Sequence, residues 1–233
     1  MLYLFCRARK MAALLLLLPL VFSAAGARGG SFFFQYTNVY AGTRPEGSPA
    51  WVNSLFSDAS TGTVQLKISA NGLANGEFLS AMFFNLDPNL NPAKLAFTYV
   101  SGSGGFALPT IKTGANSFKA DGQGKYDIDF TFSQKATKEF TGNDYVVYDI
   151  SSSAFILTAS DFNVLSTAAG GCYEFLSAAE ISGIPGACDT TGTGWVAPGG
   201  VTPAPEPQPV ALVMLGGVLC CAAGWRRICV GRV

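Results

Sequence analysis

The chain has 233 residues, 49% hydrophobic and only 13% charged, with no net charge and no histidine. That composition excludes a disordered chain, and the lack of imidazole removes the commonest general base, the triads built on it and most transition-metal sites. The body between the two ends carries nine basic and fourteen acidic residues, so it is acidic and offers no basic stripe for nucleic acid.

Residues 1–27 form the first element. Arg7, Arg9 and Lys10 precede an apolar run from Met11 to Phe22, and small residues follow to Ala27. A basic start, a short apolar helix and an Ala25-x-Ala27 site make a secretory signal peptide. The run would span about 18 Å as a helix, short of a bilayer core of about 30 Å.

The body, residues 28–197, reads as strands in chain order: 32–40, 63–69, 78–85, 94–100, 125–132 and 144–150. The clearest alternation is Lys125–Phe132. Tyr126, Ile128, Phe130 and Phe132 fall on one face, and Asp127, Asp129 and Thr131 on the other. Asn71-Gly72, Asn75-Gly76, Asp87-Pro88, Asp121-Gly122 and Gly142-Asn143 supply turns. Thr158–Leu165 reads as one short helix with a Thr-x-x-Asp cap. Short strands joined by frequent turns predict an all-β fold, an antiparallel β-sandwich or jelly-roll-like ectodomain.

Residues 198–209 are rich in proline and glycine and read as an extended linker. Val210–Trp225 carries no charge and would span about 24 Å as a transmembrane helix, stopped by Arg226 and Arg227 in a basic tail over 226–233. The positive-inside rule puts the arginines in the cytoplasm and the acidic body outside. A plain, uncut membrane anchor is the simpler alternative.

Pro205-Glu206-Pro207, the apolar helix and the Arg226-Arg227 cluster, in that order behind a signal peptide, resemble the PEP-CTERM sorting signal of exopolysaccharide-producing Gram-negative bacteria. The six residues beyond the arginines depart from its usual abrupt end. The resemblance implies a substrate of an exosortase-type membrane enzyme, with Pro205, Glu206 and Pro207 as recognition residues. It also implies transient anchoring, then the cell surface or extracellular matrix. The Asn85–Pro92 loop, Leu157–Asn163 and Gly194–Ala197 resemble small ectodomains of the same family, which bring no settled activity.

Cys172 and Cys188 are the two cysteines of the body, and in an oxidising compartment they are expected to form a disulfide. Two free thiols or part of a metal pair are the alternatives. Asp87-x-Asn89-x-Asn91 has half the spacing of a calcium loop, but Pro92 stands where glycine is required, so an Asx turn is expected. Asp127 and Asp129 offer the paired carboxylates of a glycosidase, yet as alternating residues on a polar strand face they read as solubilising charges. Trp51 and Trp195 read as core residues or as platforms for sugar rings.

These readings give a non-enzymatic, exported surface protein without cofactor or bound metal, structural or adhesive in a matrix or biofilm. Its expected partners are an exosortase-type enzyme, the membrane and extracellular polysaccharide. A secreted carbohydrate-binding module and a glycan-active hydrolase are the alternatives.

Overall fold

The computed structural model describes residues 30–170, 173–186 and 191–203. The signal peptide, Cys172, Cys188, the Pro205–Pro207 motif, the apolar segment and Arg226-Arg227 lie outside the described residues. No helix among the described residues is long and apolar enough to cross a membrane.

Among the described residues eleven strands form one antiparallel sheet: β1 (Ser31–Gly42), β2 (Val52–Ser60), β3 (Thr63–Ser69), β4 (Phe78–Phe84), β5 (Leu95–Gly102), β6 (Thr110–Ala120), β7 (Gln123–Thr131), β8 (Phe140–Thr141), β9 (Tyr145–Ser152), β10 (Ser177–Pro185) and β11 (Thr191–Pro203). Their order is β5-β9-β3-β2-β1-β11-β10-β4-β7-β6, with β8 attached to β4. The all-β antiparallel expectation is met. The sheet is folded back on itself, so β5-β9-β3-β2-β1 form one layer and β11-β10-β4-β7-β6 the other.

The bend falls where β1 meets β11. Three register shifts interrupt that pairing, after Phe34, Tyr36 and Val39, and bulges of this kind bend and twist a strand so that it can pass between layers. At Gly42 the backbone has φ +73°, and a side chain there would run into the Thr193 carbonyl. Only glycine fits that approach.

Apolar residues at every second position face the interlayer core. Phe56 of β2 sits at its centre, stacked on Phe32 at 5.0 Å and on Phe162 at 4.9 Å, and edge-on to Phe84 at 5.2 Å. Phe130 of β7 meets Tyr148 of β9 at 5.7 Å and Phe97 of β5 at 5.6 Å, closing the layers at their outer end. Burial pushes the Tyr148 hydroxyl up to about 12. Tyr36 donates to Ser177, whose hydroxyl donates to the Phe83 carbonyl, a buried polar link between β1, β10 and β4.

The expected helix is a single 3-10 turn, Ala159–Phe162, held at its start by the Thr158 N–H donating to Asp161 at 2.8 Å. It delivers Ala159 and Phe162 to the core. The linker boundary also moves. β11 continues to Pro203, pairing Pro198 with Tyr36 and Pro203 with Phe32. Its pairing with β10 ends at Val196, so Pro198 and Pro203 stand where one side of the strand is free, the place a sheet tolerates proline. Gly30 and Pro203 therefore leave the sandwich side by side.

Candidate functional site

A sheet face turned to solvent is normally polar. The outer face of the β11-β10-β4-β7-β6 layer is not. Ala81, Phe83, Ala120, Tyr126 and Ala178 are buried there, with Tyr40, Phe118 and Trp195 half-buried against them. β4 supplies both surfaces, since Met82 and Phe84 point into the core while Ala81 and Phe83 point outward.

The rings on this face form a connected row. Tyr126 lies 5.7 Å from Phe83, Phe83 6.0 Å from Trp195, and Trp195 6.4 Å from Tyr40. Tyr40 continues to Phe175 at 4.6 Å, and Phe175 to Tyr173 at 5.7 Å. The last two rings come from the connection between β9 and β10. That connection is pinned to β7 by the Lys125 N–H to Thr167 carbonyl bond of 2.7 Å and by the Tyr173 N–H donating to Gln123 at 3.0 Å.

Two carboxylates belong to the same face. Glu180 is directly across from Trp195 on β11 and from Ala81 on β4. Its carboxyl is raised above the usual range, first by burial and then by the nearby charge of Asp121. Asp129 stands across from Phe83 on one side and Lys112 on the other. It too is raised, mainly by burial, while the hydrogen bond from Thr131 at 3.1 Å and the Lys112 charge pull the other way. Burial raises the Tyr40 and Tyr126 hydroxyls as well. The Tyr126 hydroxyl is buried beside the Ser166 side chain.

Several expectations about individual residues change. Tyr126 does not join Ile128 and Phe130 inside; it packs on Phe83 at the outer face. The β6-β7 register shifts between Thr113 and Phe118, and the alternation breaks beside that shift. Trp51 is no sugar platform, being 1% exposed with its indole N–H donating to the Gly47 carbonyl at 2.8 Å. Trp195 is the tryptophan at the surface. Asp127 is neither a free charge nor a free base, because its carboxylate accepts the Leu86 N–H at 2.9 Å and the Asn116 N–H at 2.7 Å. It fastens the end of β4 to the bulge of β6.

The Asp87–Asn91 segment is an Asx turn. Asp87 accepts from the Asn89 backbone and side chain at 2.8 Å each, and Asn91 accepts from the Ala93 N–H at 3.0 Å. Its carboxylate is engaged by its own loop. Glu77, which the sequence did not single out, is fully buried and accepts the Glu46 N–H at 2.6 Å and the Ala74 N–H at 2.8 Å. It joins two loops at the end of the sandwich remote from Gly30 and Pro203.

A cleft of about 660 Å³ at that remote end is lined by Asn75, Gln134, Ser182, Thr191 and Thr193 among others. None of its lining residues is charged. No group of acidic or cysteine residues suited to a metal ion occurs among the described residues.

No family model matches the chain, and no curated protein does. Among solved structures, a biomass sensing module from an RsgI-like protein of Clostridium thermocellum, described as resembling a family 3 carbohydrate-binding module of the cellulosome, is similar over 67% of this chain and 95% of that one. The identity is 13% and the TM-score 0.30, too slight a likeness to bear on function.

Proposed function

We propose that this protein is an exported surface or matrix protein, sorted through a PEP-CTERM tail, whose outer aromatic face holds extracellular polysaccharide. The observation that carries the binding half is Trp195. It is half-buried on a solvent-side sheet face, continuous with Tyr40 and Phe83 and directly opposite Glu180. Aromatic rings offer flat apolar surface to the C–H faces of sugars, and a carboxylate accepts from their hydroxyls. Adhesion by this route needs no enclosed catalytic cavity. The glycosidase alternative is weakened because both oxygens of Asp127 are already bonded to backbone.

The sorting half is supported by the sequence order at the C-terminus. Gly30 and Pro203 emerge together, so a tether at the tail would leave the loops around Glu77 farthest from the membrane. A purely structural reading competes for the aromatic face, since Tyr126 and Ala120 are fully buried there as in a small second core.

A polysaccharide panel tests the binding. The protein should retain one or more polysaccharides, and Trp195→Ala should abolish retention while Tyr99→Ala, an exposed ring on the other layer, leaves it intact. Retention unchanged in Trp195→Ala, accompanied by lower stability, would support the structural reading. For the tail, Glu206→Ala is followed by size and location in hosts with and without exosortase. Equal retention of the tail in every case refutes the sorting.

A further inference from the structure

With the tail anchored as proposed, on which the following inference rests, the sandwich stands close to the bilayer. Six residues, 204–209, separate the end of β11 from the apolar segment that starts at Val210. Fully extended they span about 20 Å, and the headgroup layer takes up about 5–8 Å of that. The tether is half as long as β1, which has 12 residues. The end of the sandwich from which Pro203 emerges is therefore the end held against lipid. There β2 turns into β3, β4 leads into β5, and the connection from β9 to β10 crosses between the layers. The exit point is tied to that connection. The Asp58 N–H donates to the Gly30 carbonyl at 3.0 Å, and the Asp58 carboxylate accepts the Ala159 N–H at 2.5 Å.

The same connection displays large apolar side chains. Ile156 is 71% exposed, Leu165 59% and Tyr173 57%, the three highest values for large hydrophobic residues among the described residues. Ile156 lies beside Gly62 of the β2-β3 turn. Leu165 shares a small cavity with Leu86 and Leu90 of the β4-β5 loop. Tyr173 is held at the start of β7 by its N–H donating to Gln123. One exposed leucine would mean little. Three such side chains on one connection, at the tethered end, make a membrane-contact face, and a tyrosine suits the bilayer interface with its apolar ring and polar tip. Charge selects the lipid. Acids outnumber bases at this end, with Asp58, Asp87, Asp161 and Glu174 against Lys94 and Lys125, while Asp121 and Lys119 stand together at the β6-β7 turn. An anionic surface would be repelled; a zwitterionic one admits the apolar contacts. We infer that this end of the sandwich rests on a zwitterionic lipid surface through Ile156, Leu165 and Tyr173.

The exported full-length chain in phosphatidylcholine vesicles tests the contact. The vesicles include a phosphatidylcholine with a photoreactive group at the top of its acyl chain, and adducts are mapped to residues by mass spectrometry. Adducts within residues 210–225 report the anchored tail. Adducts at Ile156, Leu165 and Tyr173 report the contact and should clearly exceed those at Leu108. Leu108 is 51% exposed but lies at the opposite end, between β5 and β6, so it controls for exposure alone. Lengthening the tether by about twenty glycine and serine residues after Pro203 should cut the three sets of adducts by up to roughly tenfold, as effective concentration falls with the three-halves power of length. The tail adducts should not change, and the folded domain is untouched in this variant. Ile156→Ser with Leu165→Ser, both at exposed positions, should lower the adducts at Tyr173. Vesicles of anionic phosphatidylglycerol should lower all three sets. An anchored tail with Ile156, Leu165 and Tyr173 labelled no more than Leu108 overturns the contact and leaves the anchor standing. Stronger labelling on the anionic lipid overturns the choice of a zwitterionic surface. A tail without adducts overturns anchor and contact together, because no tether then holds this end against lipid.

Discussion

Replacing Asp127 with alanine removes both acceptors that tie Leu86 to Asn116. Leu86 is 2% exposed, so its N–H would be left buried and unpaired, a loss of about 1–3 kcal/mol. Asn116 is exposed, so its N–H would find water and the loss there is about 0.5–1.5 kcal/mol. Together the variant should be less stable by about 2–4 kcal/mol. Urea unfolding should show the midpoint falling with an unchanged slope, and the melting temperature should drop by roughly 5–15 °C for a domain of this size. Asp127→Asn should recover half of the loss or less, because the amide nitrogen cannot accept from the second N–H. Asp149→Ala serves as the control. Asp149 accepts from the Gln65 side chain at 3.1 Å, so its removal should cost under about 1 kcal/mol. If Asp127→Ala stays within about 0.5 kcal/mol of the parent, Asp127 is a solvated surface charge and the fastening role is wrong.

Phe56→Ala empties the centre of the ring cluster made with Phe32, Phe84 and Phe162, and should cost about 3–5 kcal/mol in the same urea assay. Glu77→Ala leaves the Glu46 and Ala74 N–H groups without their acceptor; a loss of about 2–4 kcal/mol is expected, together with faster proteolysis of the loops they belong to. Glu180→Gln should act in the opposite direction near neutral pH. The folded protein holds the Glu180 proton more tightly than the unfolded chain does, because of burial and then Asp121. Its contribution to stability is therefore complete below the ordinary carboxyl value of 4.5 and is lost as pH rises through the higher folded value. The glutamine variant should gain stability near pH 7 and gain little near pH 3.5, read from thermal melts at both. A gain of the same size at both would remove charge as its cause.

The strands that were legible in the sequence are those whose own residues settle the matter. Thr63–Ser69 alternates Val64, Leu66 and Ile68 with polar residues, and the strand has those same limits. β2 was missed because serine occupies an inward position, so Val52, Ser54 and Phe56 do not read as an apolar face. β6 was missed because Gly114 to Ser117 fall in its bulge. β10 and β11 are built largely from glycine, alanine, serine and threonine, residues with little strand preference beyond threonine. Their position between other strands decides their conformation. The aromatic face was hidden for a different reason. Tyr40, Phe83, Tyr126 and Trp195 come from four strands far apart in the chain, and only the fold puts them in one row. One local sign was present. Phe78–Phe84 has no charged residue and shows no alternation, as a strand covered on both faces should.

The pairing of β11 also decides how the molecule would bear a load. Its final residues are bonded to β1, and its first residues lie between β1 and β10. A pull on Pro203 along the strand would stress many of those hydrogen bonds at the same time, in shear, instead of peeling them off one by one. Gly30 sits beside the point of pull, so the strain would enter through the β1-β11 pairing, which is the strand's sole pairing beyond Val196 among the described residues. A tether attached at Pro203 would therefore load β11 against β1 along its length.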